Sequence, residues 1–207
     1  MSNELITLTI TTDFMGMPQT VHPVLLKGEV GWFLVDCGYV GSLPLIEREL
    51  EHHRIAVEDI THILITHQDH DHVGAAAAFK AAHPKVKILA SAQEAPYISG
   101  EKKSLRLMQA EEMQKHLPDD QKAFGEAFCR VLRSVEPIAV DQIVADGDRL
   151  PFGGACTVVA TPGHTPGHIS LHLPEQSTII TGDAAALENG ERVIANPQFT
   201  LDMQRAS

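Results

Sequence analysis

The sequence predicts an α/β fold, and three consecutive stretches carry that prediction. THILITH (Thr61 to His67) centres on the apolar run Ile63, Leu64 and Ile65, the length and composition of a short buried strand. VGAAAAFKAAH (Val73 to His83) is rich in alanine, the strongest helix former, and Pro84 stops it. KVKILAS (Lys85 to Ser91) returns to strand character. Strand, helix and strand in succession describe a sheet with helices packed on it.

The elements before this unit read as strands and one helix. LITLTITT (Leu5 to Thr12) alternates apolar and polar residues, the period of a half-buried strand. VHPVLLKGEVGWFLVDCG (Val21 to Gly38) is two apolar runs joined at Lys27-Gly28-Glu29, a hairpin signal. In LPLIERELEHHR (Leu43 to Arg54), Leu43, Ile46 and Leu50 lie near helical spacing with charges opposite, so an amphipathic helix is expected, with His52 and His53 at its exposed end. Beyond Ser91 the composition changes. Residues 100–136 are charged, helical in pattern and broken at Pro118, which predicts an insertion of two helices that either caps a site or covers a sheet face. ACTVVATPGHTPGHISLHLP (Ala155 to Pro174) and STIITGDA (Ser177 to Ala184) return to strands separated by glycine and proline turns. No internal repeat interrupts the pattern, so residues 1–207 are expected to form one domain.

Composition narrows the function classes. With 43% hydrophobic and 21% charged residues the chain has the balance of a folded soluble protein. The 16 lysines and arginines against 27 aspartates and glutamates give a formal charge of −11, which disfavours nucleic acid as a partner. Three widely spaced cysteines, Cys37, Cys129 and Cys156, fit buried core positions better than a disulfide framework. The N-terminus reads as a strand, no signal peptide is evident and no apolar run is long enough to span a bilayer, so a cytoplasmic location without membrane contact is expected. Oligomeric state is not encoded in any of these features.

The chemistry concentrates in HQDHDH, His67 to His72, between the predicted strand and helix. Metal binding needs lone pairs converging on one point. In an extended segment residues two apart face the same way, so His67, Asp69 and Asp71 can share a cavity while Gln68 and His70 face away, and His72 can turn back in from the helix start. TPGHTPGH (Thr161 to His168) adds a histidine held between two Pro-Gly turns, and TGDA (Thr181 to Ala184) places Asp183 just beyond a strand.

This series, in this order, resembles the metallo-β-lactamase superfamily, and the resemblance runs from about Leu5 to the end of the chain, including LVDCG (Leu34 to Gly38). The resemblance implies an αββα four-layer sandwich with the site at one edge between two sheets. It also implies two divalent ions, usually zinc, bridging a hydroxide that attacks a carbonyl or phosphoryl centre. Carried over, His67 and His164 bind the first ion, Asp71 and His72 the second, and Asp183 bridges them. Asp71 is also the expected catalytic residue, orienting the water and then passing a proton to the leaving group. His168 is expected to be structural, and Asp36 a turn residue or a support to the ligands.

Two departures qualify the resemblance. Asp69 stands where the commoner motif has a histidine; as a further ligand it makes the first position more anionic and admits manganese or iron beside zinc. Only 24 residues follow Asp183 and none is histidine, so the last ligand of the second ion, and the elements that bear it, are not found here. The implied activity is hydrolysis of an ester, thioester or lactone-type bond in a small molecule. Ala184, Ala185 and Ala186 stand where related lactonases usually carry a tyrosine, which lowers the lactonase reading. A non-catalytic metal-binding module on the same scaffold is the first alternative. A phosphodiesterase or nuclease is the second, weakened because Lys102, Lys103 and Arg106 read as a solvated helix face.

Overall fold

The structure is a computed structural model that describes residues 4–188, 190–194 and 196–207. In chain order the elements are β1 (Leu5–Thr7), β2 (Ile10–Phe14), β3 (Met17–Val21), β4 (Val24–Lys27), β5 (Trp32–Val35), α1 (Leu43–His52), β6 (Ile60–Leu64), α2 (His70–Val73), α3 (Ala76–Ala82) and β7 (Lys87–Ser91). There follow α4 (Ala95–Ile98), α5 (Leu105–His116), α6 (Lys122–Arg133), β8 (Gln142–Val144), β9 (Arg149–Leu150), β10 (Cys156–Ala160), β11 (Ile169–Leu173), β12 (Thr178–Ile180), β13 (Ala185–Glu188), β14 (Glu191–Ile194) and α7 (Met203–Ala206).

Two sheets face each other. The first runs β1-β4-β5-β6-β7-β8, antiparallel up to β5 and parallel from there; the second runs β12-β11-β10-β9 and is antiparallel. Strand parity sorts the side chains. Leu26, Phe33, Val35, Leu64 and Leu89 point between the sheets and meet Val158, Leu171 and Leu173 of the second. Their neighbours Leu25, Leu34, Ile63 and Ile88 point outward against Ile46 and Leu50 of α1 and Phe79 of α3. A strand buried on both faces has no room for alternation, which is why β5 and the Ile63-Leu64-Ile65 stretch at the end of β6 read as continuous apolar runs. The outward face of the second sheet carries His172 and Ile179, paired across β11 and β12 and both exposed.

Two expectations are corrected locally. The segment Leu5 to Thr12 is not one strand, because β1 pairs with β4 in the large sheet while β2 pairs with β3 in a separate hairpin, so the chain leaves the sheet between them. The helix expected over Val73 to His83 starts later, as α3 at Ala76, because Gly74 and Ala75 separate it from the short α2 that ends at Val73. Gly74 sits against the backbone of Tyr39 and Val40, where an added Cβ would lie 2.4 Å from main-chain atoms. The insertion consists of α5 and α6, joined around Pro118 and sharing a small core of Leu107, Ala110, Cys129 and Leu132. All three cysteines are free and buried. Among the described residues no helix is long and apolar enough to cross a membrane.

Candidate metal centre

The site forms where strands end. The parallel strands β5, β6 and β7 present their C-terminal ends to one edge of the sheet sandwich, the position where open α/β folds place ligands. Asp36 follows β5, Thr66 and His67 follow β6, and Glu94 follows β7. From the second sheet, the turn between β10 and β11 brings His164 and the segment after β12 brings Asp183.

Five of the six expected ligands converge. His164 Nε2 lies 3.1 Å from Asp69 Oδ2 and 3.5 Å from Asp183 Oδ2. His67 Nε2 lies 3.8 Å from Asp69 Oδ2 and 4.0 Å from Asp183 Oδ2. His72 Nε2 lies 3.2 Å from Asp183 Oδ1. These donors form two triads in which every ligand atom is within 4.8 Å of the others, His67/Asp69/His164 and His67/His72/Asp183. Asp71 is outside both. Its Oδ2 is 3.8 Å from His72 Nε2 and its side chain is a quarter exposed, on the wall of the pocket beside the triads. Extended geometry brings His67 and Asp69 to the same side, but α2 begins at His70, and helical geometry turns Asp71 aside while bringing His72 in.

The remaining residues support the donors. Asp36, with its backbone in the left-handed region at φ +59, accepts from His72 Nδ1 at 2.8 Å and from both the amide and hydroxyl of Thr66 at 2.8 Å. A carboxylate behind an imidazole fixes the ring and leaves Nε2 free to face the site. Thr66 Oγ1 also lies 3.0 Å from His67 Nδ1, so Nε2 is the nitrogen His67 offers. His168 is structural: its Nδ1 meets Thr161 Oγ1 at 2.8 Å and its Nε2 accepts from the backbone amide of Asp183 at 3.0 Å. Gly182 makes that contact possible, since at φ +49 an added Cβ would lie 2.8 Å from His168 Nε2. His70 faces away from the triads, its ring packed on Phe14, Tyr39 and Phe128 at the pocket rim.

Two further residues carry no signal in the sequence motifs. Glu94 is fully buried and accepts from the Gln68 amide and side chain and from the Gly167 amide, tying the HQDHDH loop to the PGHTPGH loop. Arg106 is not part of a solvated helix face, as its neighbours Lys102 and Lys103 suggest. It is 4% exposed, and its Nη2 and Nε donate to Asp69 Oδ2 at 2.5 and 3.0 Å. The one hint in the sequence is that Arg106 shares an α5 stripe with Leu107 and Ala110, the buried face of that helix.

The electrostatics suit a cation. Burial and the imidazoles of His72, His168 and His164 push the His67 pKa well below its ordinary value, keeping it neutral with a free lone pair. Burial alone would lower the His72 pKa, but Asp36, Asp183 and Asp71 hold it well above the imidazole range. Burial would raise the Asp183 carboxyl, yet His72 and His164 keep it well below the usual carboxylate range. His67 Nε2 is buried and has no hydrogen-bond partner, a costly arrangement for a polar atom unless a further group is bound. An orphaned imidazole nitrogen facing two carboxylates and two more imidazoles is a donor set that fits a divalent transition metal.

A sequence-family model described as the metallo-beta-lactamase superfamily matches residues 17–206. The chain belongs to the metallo-beta-lactamase superfamily. It is 26% identical over 182 residues to a probable metallo-hydrolase, YflN, of Bacillus subtilis, covering 87% of this chain and 62% of that protein. To the hydroxyacylglutathione hydrolase of Rhodospirillum rubrum it is 27% identical over 169 residues, covering 79% of this chain and 50% of the enzyme. The chain thus spans between half and two thirds of the length of these curated relatives. Among solved structures, a metallo-beta-lactamase family protein of Thermus thermophilus superposes with a TM-score of 0.72 at 22% identity, covering 95% of this chain and 64% of that one. A variant of a metallo-beta-lactamase from Cronobacter sakazakii does so at 0.61 and 26% identity, covering 97% and 66%. The superfamily binds divalent metal ions, and the convergent donors lie inside the matched residues.

Proposed function

We propose that the chain carries the metal centre of a hydrolase that cleaves an ester, thioester or lactone-type bond in a small molecule. The observation that carries this reading is the set of three imidazoles and two carboxylates, delivered by separate strand-end loops, around the unpartnered His67 Nε2. His67, Asp69, His72, His164 and Asp183 would hold two ions between them, with zinc favoured by the imidazoles and manganese or iron admitted by the carboxylates. When bound, such ions lower the pKa of a coordinated water toward neutrality and polarise a substrate oxygen.

The protein's own groups supply orientation and proton handling. Asp71 is a quarter exposed on the pocket wall, near enough to His72 to accept a proton from the attacking water and then deliver it to the leaving group. His72, Asp183 and His67 are fixed from behind by Asp36, His168 and Thr66, so the site is preorganised before substrate arrives. The pocket, about 440 Å³, is walled on one side by Phe14, Phe128 and Phe199, and these rings also border an apolar cavity of about 550 Å³ under α5 and α6. Rings beside the reacting centre favour a substrate whose acyl or alcohol part is apolar. The name of the Rhodospirillum rubrum relative supports a thioester as the first substrate class to assay.

The test is turnover of a panel of esters, thioesters and lactones with zinc or manganese supplied. His67→Ala and Asp71→Ala are each expected to lose at least roughly a hundredfold in kcat/KM with the circular dichroism spectrum retained. Turnover at the wild-type rate in both variants would remove the assignment.

A further inference from the structure

The two triads share a residue, and one of them already holds a guanidinium. His67 appears in both, through the same nitrogen, because its other ring nitrogen lies against Thr66 Oγ1. One lone pair serves one ion. Whichever triad claims His67 leaves the other short of a donor.

Arg106 biases that contest. Its guanidinium binds Asp69 Oδ2 through two nitrogens, and Asp69 Oδ2 is the oxygen that faces His67 and His164. The same Nη2 lies 3.4 Å from His164 Nε2 and donates to the carbonyl of Phe199 at 2.7 Å, while Nη1 meets Gln109 Oε1 at 2.6 Å. This is not a surface side chain resting on a carboxylate. It is buried, bonded on several sides and fixed by α5 and by the chain at Phe199. The planar, permanently charged guanidinium is suited to such a site. On the other side, His72 faces Asp183, Asp71 and Asp36 with no lysine or arginine bonded to any of the three among the described residues. The Asp69 side is therefore neutralised by an internal cation, and the Asp183 side retains its negative charge. Two cations sharing one carboxylate oxygen repel each other strongly at these separations.

We infer that Arg106 serves as a resident cation on the Asp69–His164 side, so that the first divalent ion binds His67, His72 and Asp183, and a second must displace or crowd the guanidinium. This rests on the metal-centre reading above and concerns how the ions share it. It reverses the order expected from the sequence, in which the position without a histidine after Asp183 is the weaker one, because the triad that holds no guanidinium fills first.

The experiment is titration of the chelator-stripped chain with zinc alone, by calorimetry and by elemental analysis after dialysis. The wild type is expected to retain one equivalent tightly, with the second weaker by at least about tenfold. Arg106→Gln is expected to close that gap by tightening the second equivalent, whereas Arg106→Lys, which keeps the charge, preserves it. His72→Ala is expected to abolish the tight equivalent and His164→Ala to leave it. These last two variants keep the inference testable should Arg106→Gln fail to fold, as judged by its circular dichroism and thermal melt. Two equivalents of equal affinity in the wild type would overturn the inference while leaving the metal centre standing. So would loss of the tight equivalent in His164→Ala with retention in His72→Ala. No bound zinc at all would overturn both readings.

Discussion

The loops of the candidate metal centre and the α5–α6 insertion meet at one pocket but are held by different physics. Behind the loops, buried and partly buried polar groups meet specific partners: Asp36 with Thr66 and His72, Glu94 with Gln68 and Gly167, His168 with Asp183. The insertion is held by a small apolar core and by solvent-facing ion pairs, Arg133 with Glu111 and Glu126, Lys122 with Asp119, and Lys103 with Glu111. Buried polar pairs are expensive to break because the abandoned partner cannot return to water, and exposed ones are not. The loops should therefore be rigid and sensitive to single substitutions, and the insertion tolerant of them. Arg106 is the exception that joins the two regions, since it belongs to the insertion by sequence and to the loops by its contacts.

The largest effect that sharpens this contrast is expected at Glu94. Glu94→Ala strands the amides of Gln68 and Gly167 in a buried location and should cost about 2–4 kcal/mol in a urea-unfolding experiment. It should also loosen zinc binding, because the two loops it ties together carry His67, Asp69 and His164. A variant that unfolds at the wild-type urea concentration would show that the loops are held by something other than this carboxylate.

The same contrast explains what is legible in the sequence. Strand periodicity and the buried apolar runs locate β5, β6 and β7 because their side chains answer to local packing on both faces of the sheet. His67, Asp69, His72, His164 and Asp183 are visible because strand-end histidines and aspartates have no packing role that would otherwise select them. Asp71 belongs to the same motif yet lies on the wall instead of among the converging ligands, because extended geometry gives way to α2 one residue earlier. The roles of Glu94 and Arg106 are not legible in the sequence for a different reason. Their partners lie 26 and 37 residues away, and only the meeting of separate elements gives them a role. Residues 100–136 form the expected helices, while their place beside the pocket is set by Arg106 and by Phe128 against Phe14.

An intermediate case lies on the far side of the sheet. Asp141 Oδ2 accepts from the Ile88 amide at 2.8 Å and from Lys80 at 2.9 Å, joining β7 and α3 just before β8 begins. Its partial burial would raise the carboxyl pKa, but the Ile88 amide and the Lys80 ammonium outweigh that and hold it below its ordinary value. A depressed folded pKa contributes stability above the ordinary carboxylate value, and that contribution disappears as pH falls through the lower, folded one. Asp141→Asn should cost about 1 kcal/mol near pH 7, a figure limited by solvent screening, and the cost should shrink as pH falls below the carboxylate range. Urea midpoints for both proteins at neutral and strongly acidic pH measure this, and a gap that stays constant with pH would contradict the ionic origin of the effect.

The smallest effect is expected in the insertion itself. Arg133 reaches Glu111 at 3.0 Å and Glu126 at 2.9 Å, linking α5 to α6, but all three side chains are at least partly open to solvent. Water and salt screen such pairs, and ordering two long side chains offsets much of what attraction remains. Arg133→Ala should leave the thermal midpoint of the chain where it is, and raising the ionic strength should change wild type and variant alike. A resolved drop in the midpoint, abolished by high salt, would mean that the ion pairs do hold α5 in place. The position of Arg106 would then depend on them as well, so the insertion could not be treated as tolerant while the loops are rigid.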